Sequence, residues 1–229
     1  QYFRLTSTDS RGYSTVVDRG GTPHVAHSGM VPGTIFVENF ETPSGWSLEG
    51  EWQIAAPRGL GGVPNYSSDP PYARSGLKAL GTDLTGLNAH PGDYEPNVDI
   101  EAVSPPIDAT SLANATVIYQ SWLNCEKRGS DYVDLDAWDG AEWHGVWWNW
   151  AAPTRNINWQ RMARSVAEWA DGNPAFQLRF RLRSNATNQY SGWNIDGVVL
   201  KDGSLPDKAP CGGCGTPPSF AGVERAVDQ

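Results

Sequence analysis

Ser191-Gly192-Trp193-Asn194-Ile195-Asp196-Gly197-Val198-Val199-Leu200 decides the fold, together with a counterpart near the start of the chain. That counterpart is Phe36-Val37-Glu38-Asn39-Phe40-Glu41, followed by Gly45-Trp46 and Trp52. Each reads as a strand with an acid set among apolar residues. A first strand closing against the last completes a sheet of a β-sandwich. Acids gathered at such a join suit a calcium ion, which takes oxygen ligands, several of them carboxylates.

Between these bookends the sequence reads as strands and turns. Strands are expected at 34–40, 51–55, 77–82, 98–103, 115–124, 131–138, 142–150, 160–168, 175–184 and 193–201. The clearest is Gln177-Leu178-Arg179-Phe180-Arg181-Leu182-Arg183, with Leu178, Phe180 and Leu182 on one face and three arginines on the other. That period of two marks a half-buried antiparallel strand. Val133, Leu135 and Ala137 alternate in the same way with Asp134, Asp136 and Trp138, and Asp139-Gly140 is a hairpin signal behind them. No segment carries the period of an amphipathic helix. About ten short strands with frequent turns predict an all-β, antiparallel jelly-roll β-sandwich of two packed sheets.

Composition agrees. The chain has 229 residues with 25 Gly and 17 Pro, suited to many turns, and 39% hydrophobic residues, enough for a core. The formal net charge of -9 argues against a nucleic-acid partner, since phosphate binding wants a basic surface. No apolar run approaches the roughly 20 residues of a membrane span. Neither His-Glu-x-x-His nor Gly-x-Ser-x-Gly occurs, so the motifs give no support for a hydrolase. The opening on Gln1 in mid-pattern reads as a piece of a longer protein.

Three parts are expected: a tail at 1–30, the sandwich at 31–202, and a Gly/Pro/Cys linker at 203–229. Cys211 and Cys214, in Pro-Cys-Gly-Gly-Cys-Gly, are expected to form a small local disulfide, and Cys125 a buried thiol. The run Tyr2 to Asp9 before Ser10-Arg11-Gly12 resembles the last strands of a fibronectin type III domain. Pro217-Pro218-Ser219-Phe220-Ala221-Gly222-Val223 resembles the first strand of another. Equally, both ends read as ordered tails packed on the central domain.

The order of motifs across the body carries a further resemblance. Glu38-Asn39-Phe40-Glu41 with Gly45-Trp46 comes first, then Gly76-Leu77-Lys78-Ala79-Leu80-Gly81-Thr82-Asp83-Leu84-Thr85-Gly86. Val103-Ser104-Pro105-Pro106-Ile107-Asp108, Tyr119-Gln120-Ser121-Trp122-Leu123 with Glu126, and Asp131-Tyr132-Val133-Asp134-Leu135 with Trp143 follow. The closing strand ends the series. The series resembles the MAM-like jelly-roll modules of bacterial secreted proteins, such as those downstream of the catalytic domain in immune-inhibitor-A-type metallopeptidases. It departs at Ser184-Asn185, where Ser-Asp is common, and at Ile195-Asp196-Gly197-Val198, where Ile-Asp-Asp-Val is common. The resemblance implies a secreted, non-catalytic accessory or recognition domain.

Two sets of residues stand out as sites. Calcium ligands are expected among Glu38, Glu41, Asp83, Asp99, Glu126, Asp131 and Asp196; singly, each also reads as a solvated turn acid. Trp147, Trp148 and Trp150 lie in a run of indoles, with Asn149 among them. Flat aromatic faces beside polar groups suit a sugar, whereas rings filling the space between sheets are the plainer reading. Arg179, Arg181 and Arg183 are expected to pair with Asp134 and Asp136 across strands. The function expected is recognition of a glycan or protein ligand, in an extracellular protein alongside neighbouring domains. The alternatives are a structural link or homo-assembly through strand pairing of the ends, and an accessory fragment of a secreted hydrolase or metallopeptidase.

Overall fold

The computed structural model describes residues 33–62 and 67–204, and before them the strand backbone at 2–3, 5–8, 14–17 and 24–25. Those early strands form two separate pairs. β1 (Tyr2–Phe3) lies antiparallel to β4 (His24–Val25), and β2 (Leu5–Thr8) to β3 (Ser14–Val17). The expected Cys211–Cys214 disulfide and the 205–229 part of the linker lie outside the described residues.

The body holds two antiparallel sheets. Its strands are β5 (Thr34–Glu38), β6 (Ser47–Leu48), β7 (Trp52–Ala55), β8 (Ala79–Thr82), β9 (Asp99–Val103) and β10 (Ala115–Cys125). Then come β11 (Tyr132–Trp138), β12 (Trp143–Trp148), β13 (Thr154–Arg155), β14 (Gln160–Ser165), β15 (Gln177–Arg183) and β16 (Gly192–Asp202). The larger sheet runs β13-β10-β16-β8-β7, with β14 also on β10 and β5 also on β16. The smaller runs β12-β11-β15-β9-β6. This is a jelly-roll β-sandwich, as the strand pattern requires. One expectation is corrected: the strand predicted over 160–168 stops at Ser165, and the single helical turn α1 (Ala167–Ala170) follows. Ala167, Glu168 and Ala170 are favourable helix residues, and Ala170 packs into the core.

The bookends meet as expected. β16 pairs with β5 through Val198↔Glu38 and Leu200↔Phe36. Its earlier half pairs with β8 through Asn194↔Gly81 and Ile195↔Leu80. Gly197 sits at φ +59°, where the ladder to β10 slips between Ile118↔Val199 and Gln120↔Asp196. A strand alternates faces strictly, so Trp193 and Ile195 would share a face with Gly197 and not with Val198. The bulge resets that parity, and Trp193, Ile195, Val198 and Leu200 are all fully buried.

Trp193 centres the core. Its ring meets Phe180 edge-on at 5.0 Å, Trp147 at 5.8 Å, and Tyr119 and Trp52 at 6.4 Å each. Its indole N–H donates to Ser121 Oγ at 2.9 Å, so the one polar atom of the ring is satisfied. From the smaller sheet come Val133, Leu135, Leu178, Phe180 and Leu182, all fully buried. Cys125 is a buried free thiol whose pKa burial pushes up to about 12, so it stays protonated and inert.

The two outer faces differ. Segment 67–75 crosses the outer face of the larger sheet. Ser68 O accepts from Trp122 Nε1 and Asn124 Nδ2, Asp69 from Asn194, and Tyr72 O from Trp159 Nε1. The outer face of the smaller sheet carries its own charged and aromatic side chains. Among the described residues, no helix is long and apolar enough to cross a membrane.

Candidate functional site

On that outer face the register of β11, β12 and β15 sets the pattern. Tyr132, Asp134, Asp136 and Trp138 project outward because Val133, Leu135 and Ala137 take the core. Asp134 lies opposite Trp148, and Trp138 opposite Trp143. The arginines of β15 complete the face. Arg179 binds Asp136 at 2.8 Å and Glu101 at 3.2 Å, Arg183 binds Asp134 at 2.8 Å, and Arg181 binds Asp99 at 2.7 Å. The expected pairing is present for Arg179 and Arg183, whereas Arg181 reaches across to Asp99 of β9, which with Glu101 lies on the other side of β15.

Aromatic and charged groups concentrate at the end of β12. Arg128 binds Asp134 at 2.7 Å and lies 5.0 Å from the Tyr132 ring centre and 5.5 Å from that of Trp148. Arg183 covers Tyr132 at 4.7 Å. Trp148 is 52% exposed and Trp150 65%. Two large rings in one short segment are thus held against water, Trp148 with the Arg128 guanidinium over it.

Asn149, between them, does the opposite. Its side chain is buried. Its amide nitrogen donates to the carbonyls of Glu126 and Asp131 at 3.1 Å each, and its amide oxygen accepts from Val133 N at 3.2 Å. Trp150 O accepts from Arg128 N at 2.7 Å. Asn149 is thus the anchor of the segment and does not face a ligand. Trp147 also turns away: it lies opposite Leu135 and packs on Trp193. Of the four residues expected at a binding face, Trp148 and Trp150 are on the surface. Arg128 and Tyr132 join them. The outward parity of Tyr132 was legible in the alternation around Val133, whereas Arg128 sits in a turn with no pattern to mark it.

The seven acids expected around calcium are spread over the molecule. Glu41 accepts from Leu77 N at 2.9 Å and Lys78 N at 2.8 Å, and these bonds lower its pKa. Asp196 accepts from Ser75 N at 2.7 Å, and Glu38 from Phe40 N at 2.6 Å. Burial raises the pKa of both. Asp83 accepts from Leu87 N and Gly92 N at 2.9 and 2.8 Å. Asp131 takes the Tyr94 hydroxyl and Asn185 N, while Glu126 takes the Asn185 and Asn188 side chains. Asp99 is lowered by its bond to Arg181. Glu41 and Asp196 thus both reach segment 75–78, and Glu126 and Asp131 both reach Asn185, so the seven acids fall at several places. Among the described residues, the group of three His, Cys, Asp or Glu ligand atoms within 4.8 Å of one another is Asp139, Glu142 and His144, on the β11–β12 hairpin.

No protein-family model matches the chain. A stretch of Bacillopeptidase F from Bacillus subtilis (strain 168) is 30% identical over 203 residues, covering 82% of this chain and 12% of that protein. The chain therefore spans about an eighth of the length of that relative. Among solved structures, carbohydrate-binding modules of the β-sandwich superfamily align over 87% of this chain and 72% of theirs, at 13% identity and a TM-score of 0.45. The CBM22-1 xylan-binding domain of Paenibacillus barcinonensis Xyn10C aligns over 76% of this chain and 97% of its own, at 12% identity and a TM-score of 0.41. Similarity at that level carries no argument about a ligand.

Proposed function

We propose that this chain is a non-catalytic recognition module of a larger extracellular protein, and that it binds glycans through Trp148 and Trp150. The observation that carries the reading is the contrast within Trp148-Asn149-Trp150: a buried, multiply bonded amide flanked by two exposed indoles. Rigid aromatic rings lose little freedom on binding, and Trp, Tyr and Arg dominate recognition surfaces. Sugar rings present apolar C–H faces for stacking and hydroxyls for bonding. Trp148 and Trp150 offer the first kind of contact. Arg128, Asp134 and Arg183, already held in place by one another, offer the second. The likeness to part of Bacillopeptidase F supports a place beside a peptidase domain, with this module serving to hold the parent protein on its target.

The test is retention on a panel of immobilised polysaccharides, comparing the chain with a Trp148→Ala/Trp150→Ala variant. Retention by the parent chain, lost in a variant with an unchanged circular dichroism spectrum, is expected. Absence of retention across the panel would replace this reading with recognition of a protein.

A further inference from the structure

Charge on the outer face of the smaller sheet is unevenly shared. Arg179 binds two acids, Asp136 and Glu101, and Arg181 binds Asp99. Beside Trp148 the ratio is reversed, and two guanidiniums share one carboxylate. Arg128 Nη1 donates to Asp134 Oδ1 at 2.7 Å, and Arg183 Nη2 donates to Asp134 Oδ2 at 2.8 Å. Positive charge is therefore in excess at this end of the face and negative charge at the other. Glu126 and Asp131, on the turn before β11, take Asn185, Asn188 and Tyr94 as donors, and burial raises the pKa of Asp131. Lys127 stands beside Glu126 in sequence.

The two guanidiniums converge. Both sit on the same carboxylate, and their carbons lie 5.0 and 4.7 Å from the Tyr132 ring centre. Arg128 is also 5.5 Å from the Trp148 ring centre. The side chains of Arg128 and Arg183 are 31% and 36% exposed, against 11% for Asp134. The shared acid thus lies deeper than the cations it joins. Each arginine spends one terminal nitrogen on Asp134, which leaves the other outside that bond. Arg183 Nε is buried with no hydrogen-bond partner, so this guanidinium is short of acceptors.

We infer that the ligand taken at Trp148 and Trp150 is an acidic glycan, whose carboxylate or sulfate is bound by the Arg128 and Arg183 guanidiniums. This rests on the glycan reading above and narrows it. A guanidinium fork matches an oxyanion in shape, and charge-assisted hydrogen bonds are about twice as strong as neutral ones. The Tyr132 and Trp148 rings hold the forks in place beside the surface on which a sugar would stack. With a net charge of -9 the molecule as a whole repels an acidic polymer, so a preference for one has to come from a local patch.

The test is the affinity of the full chain for acidic polymers against their own neutral forms. Polygalacturonate and alginate are compared before and after carboxyl reduction, and dextran sulfate with dextran. Binding at least about tenfold tighter to an acidic form, weakening as salt is added, is expected. The carboxylated and sulfated arms tell which oxyanion fits. Arg128→Gln/Arg183→Gln should remove the preference, whereas Arg58→Gln, at an exposed arginine away from this face, should keep it. Asp134→Asn frees both guanidiniums and should raise the preference above that of the parent, which a damaged fold would not do. If the double variant does not fold, Arg183→Gln and Asp134→Asn decide, since they should shift the preference in opposite directions. Acidic and neutral forms bound equally through Trp148 and Trp150 would overturn this inference and leave the glycan reading standing. No binding to any polymer would overturn both. A preference that survives Arg128→Gln/Arg183→Gln, or that Arg58→Gln removes, would place the anion elsewhere and overturn the inference equally.

Discussion

Asn149 and Val133 bind each other twice: Asn149 N donates to Val133 O at 3.0 Å, and Val133 N donates back to Asn149 Oδ1 at 3.2 Å. The side chain thereby copies a backbone partner just beyond the end of β12. It extends the ladder while the neighbouring Trp148 and Trp150 turn to solvent. Burial and exposure are divided between adjacent residues of one segment.

That division is measurable. Asn149→Ala leaves Val133 N and two carbonyls without partners, and is expected to cost about 3 kcal/mol in urea unfolding. Trp148→Ala and Trp150→Ala, at exposed positions, should together cost less than about 1 kcal/mol. Equal losses would mean that the rings support the fold.

Trp193→Ala should be among the most damaging substitutions in the molecule. The ring bridges both sheets through Phe180, Tyr119 and Trp147. Truncation opens a large cavity and orphans Ser121 Oγ, for an expected cost of about 4 kcal/mol or more. Trp193→Phe should recover part of that loss. The check is the same unfolding transition.

Position 197 should show a graded series. The positive φ of Gly197 lies in the left-handed region, and the space around it is open, with Gln120 Cγ at 4.0 Å from an added Cβ. Backbone conformation therefore sets the cost. Gly197→Asn and Gly197→Asp are expected to lose least, Gly197→Ala about 1 kcal/mol, and Gly197→Val more. The Asp common at this place in MAM-like modules is compatible with the same bulge. Uniform losses across the series would argue for a steric cause.

Glu51 makes stability depend on pH. Burial raises its pKa to about 7, outweighing the bond from Glu95 N, and the Glu95 and Asp83 charges add to the rise. The folded state keeps a proton that the unfolded chain releases near the ordinary value of 4.5. Its contribution is therefore complete below pH 4.5 and disappears as pH rises through about 7. Glu51→Gln, which stays neutral, should flatten the fall in stability across that window by about 2 kcal/mol. The measurement is the difference in unfolding free energy between the two proteins at pH 5 and pH 8. An unchanged slope would mean that Glu51 ionises freely in the folded state.

The sequence by itself determined the layers and the parity. Leu178, Phe180 and Leu182 had to face inward and Arg179, Arg181 and Arg183 outward, because a strand alternates and one sheet face is buried. Meeting of the first and last strands was also legible, from apolar residues at both ends of the body. Tertiary structure alone decided which polar residues serve and which merely hold. Asn149 lies beside two indoles in sequence and looked like a ligand contact, yet its amide is spent on Glu126, Asp131 and Val133. Glu41 and Asp196 were readable as acids at the join of the first and last strands, and only the closed structure showed that both reach the backbone of segment 75–78. Asp69, in a loop with no periodic signal, is enclosed only because segment 67–75 folds over Asn124 and Asn194. Periodicity reports which face a residue takes, and long-range closure decides what it meets there.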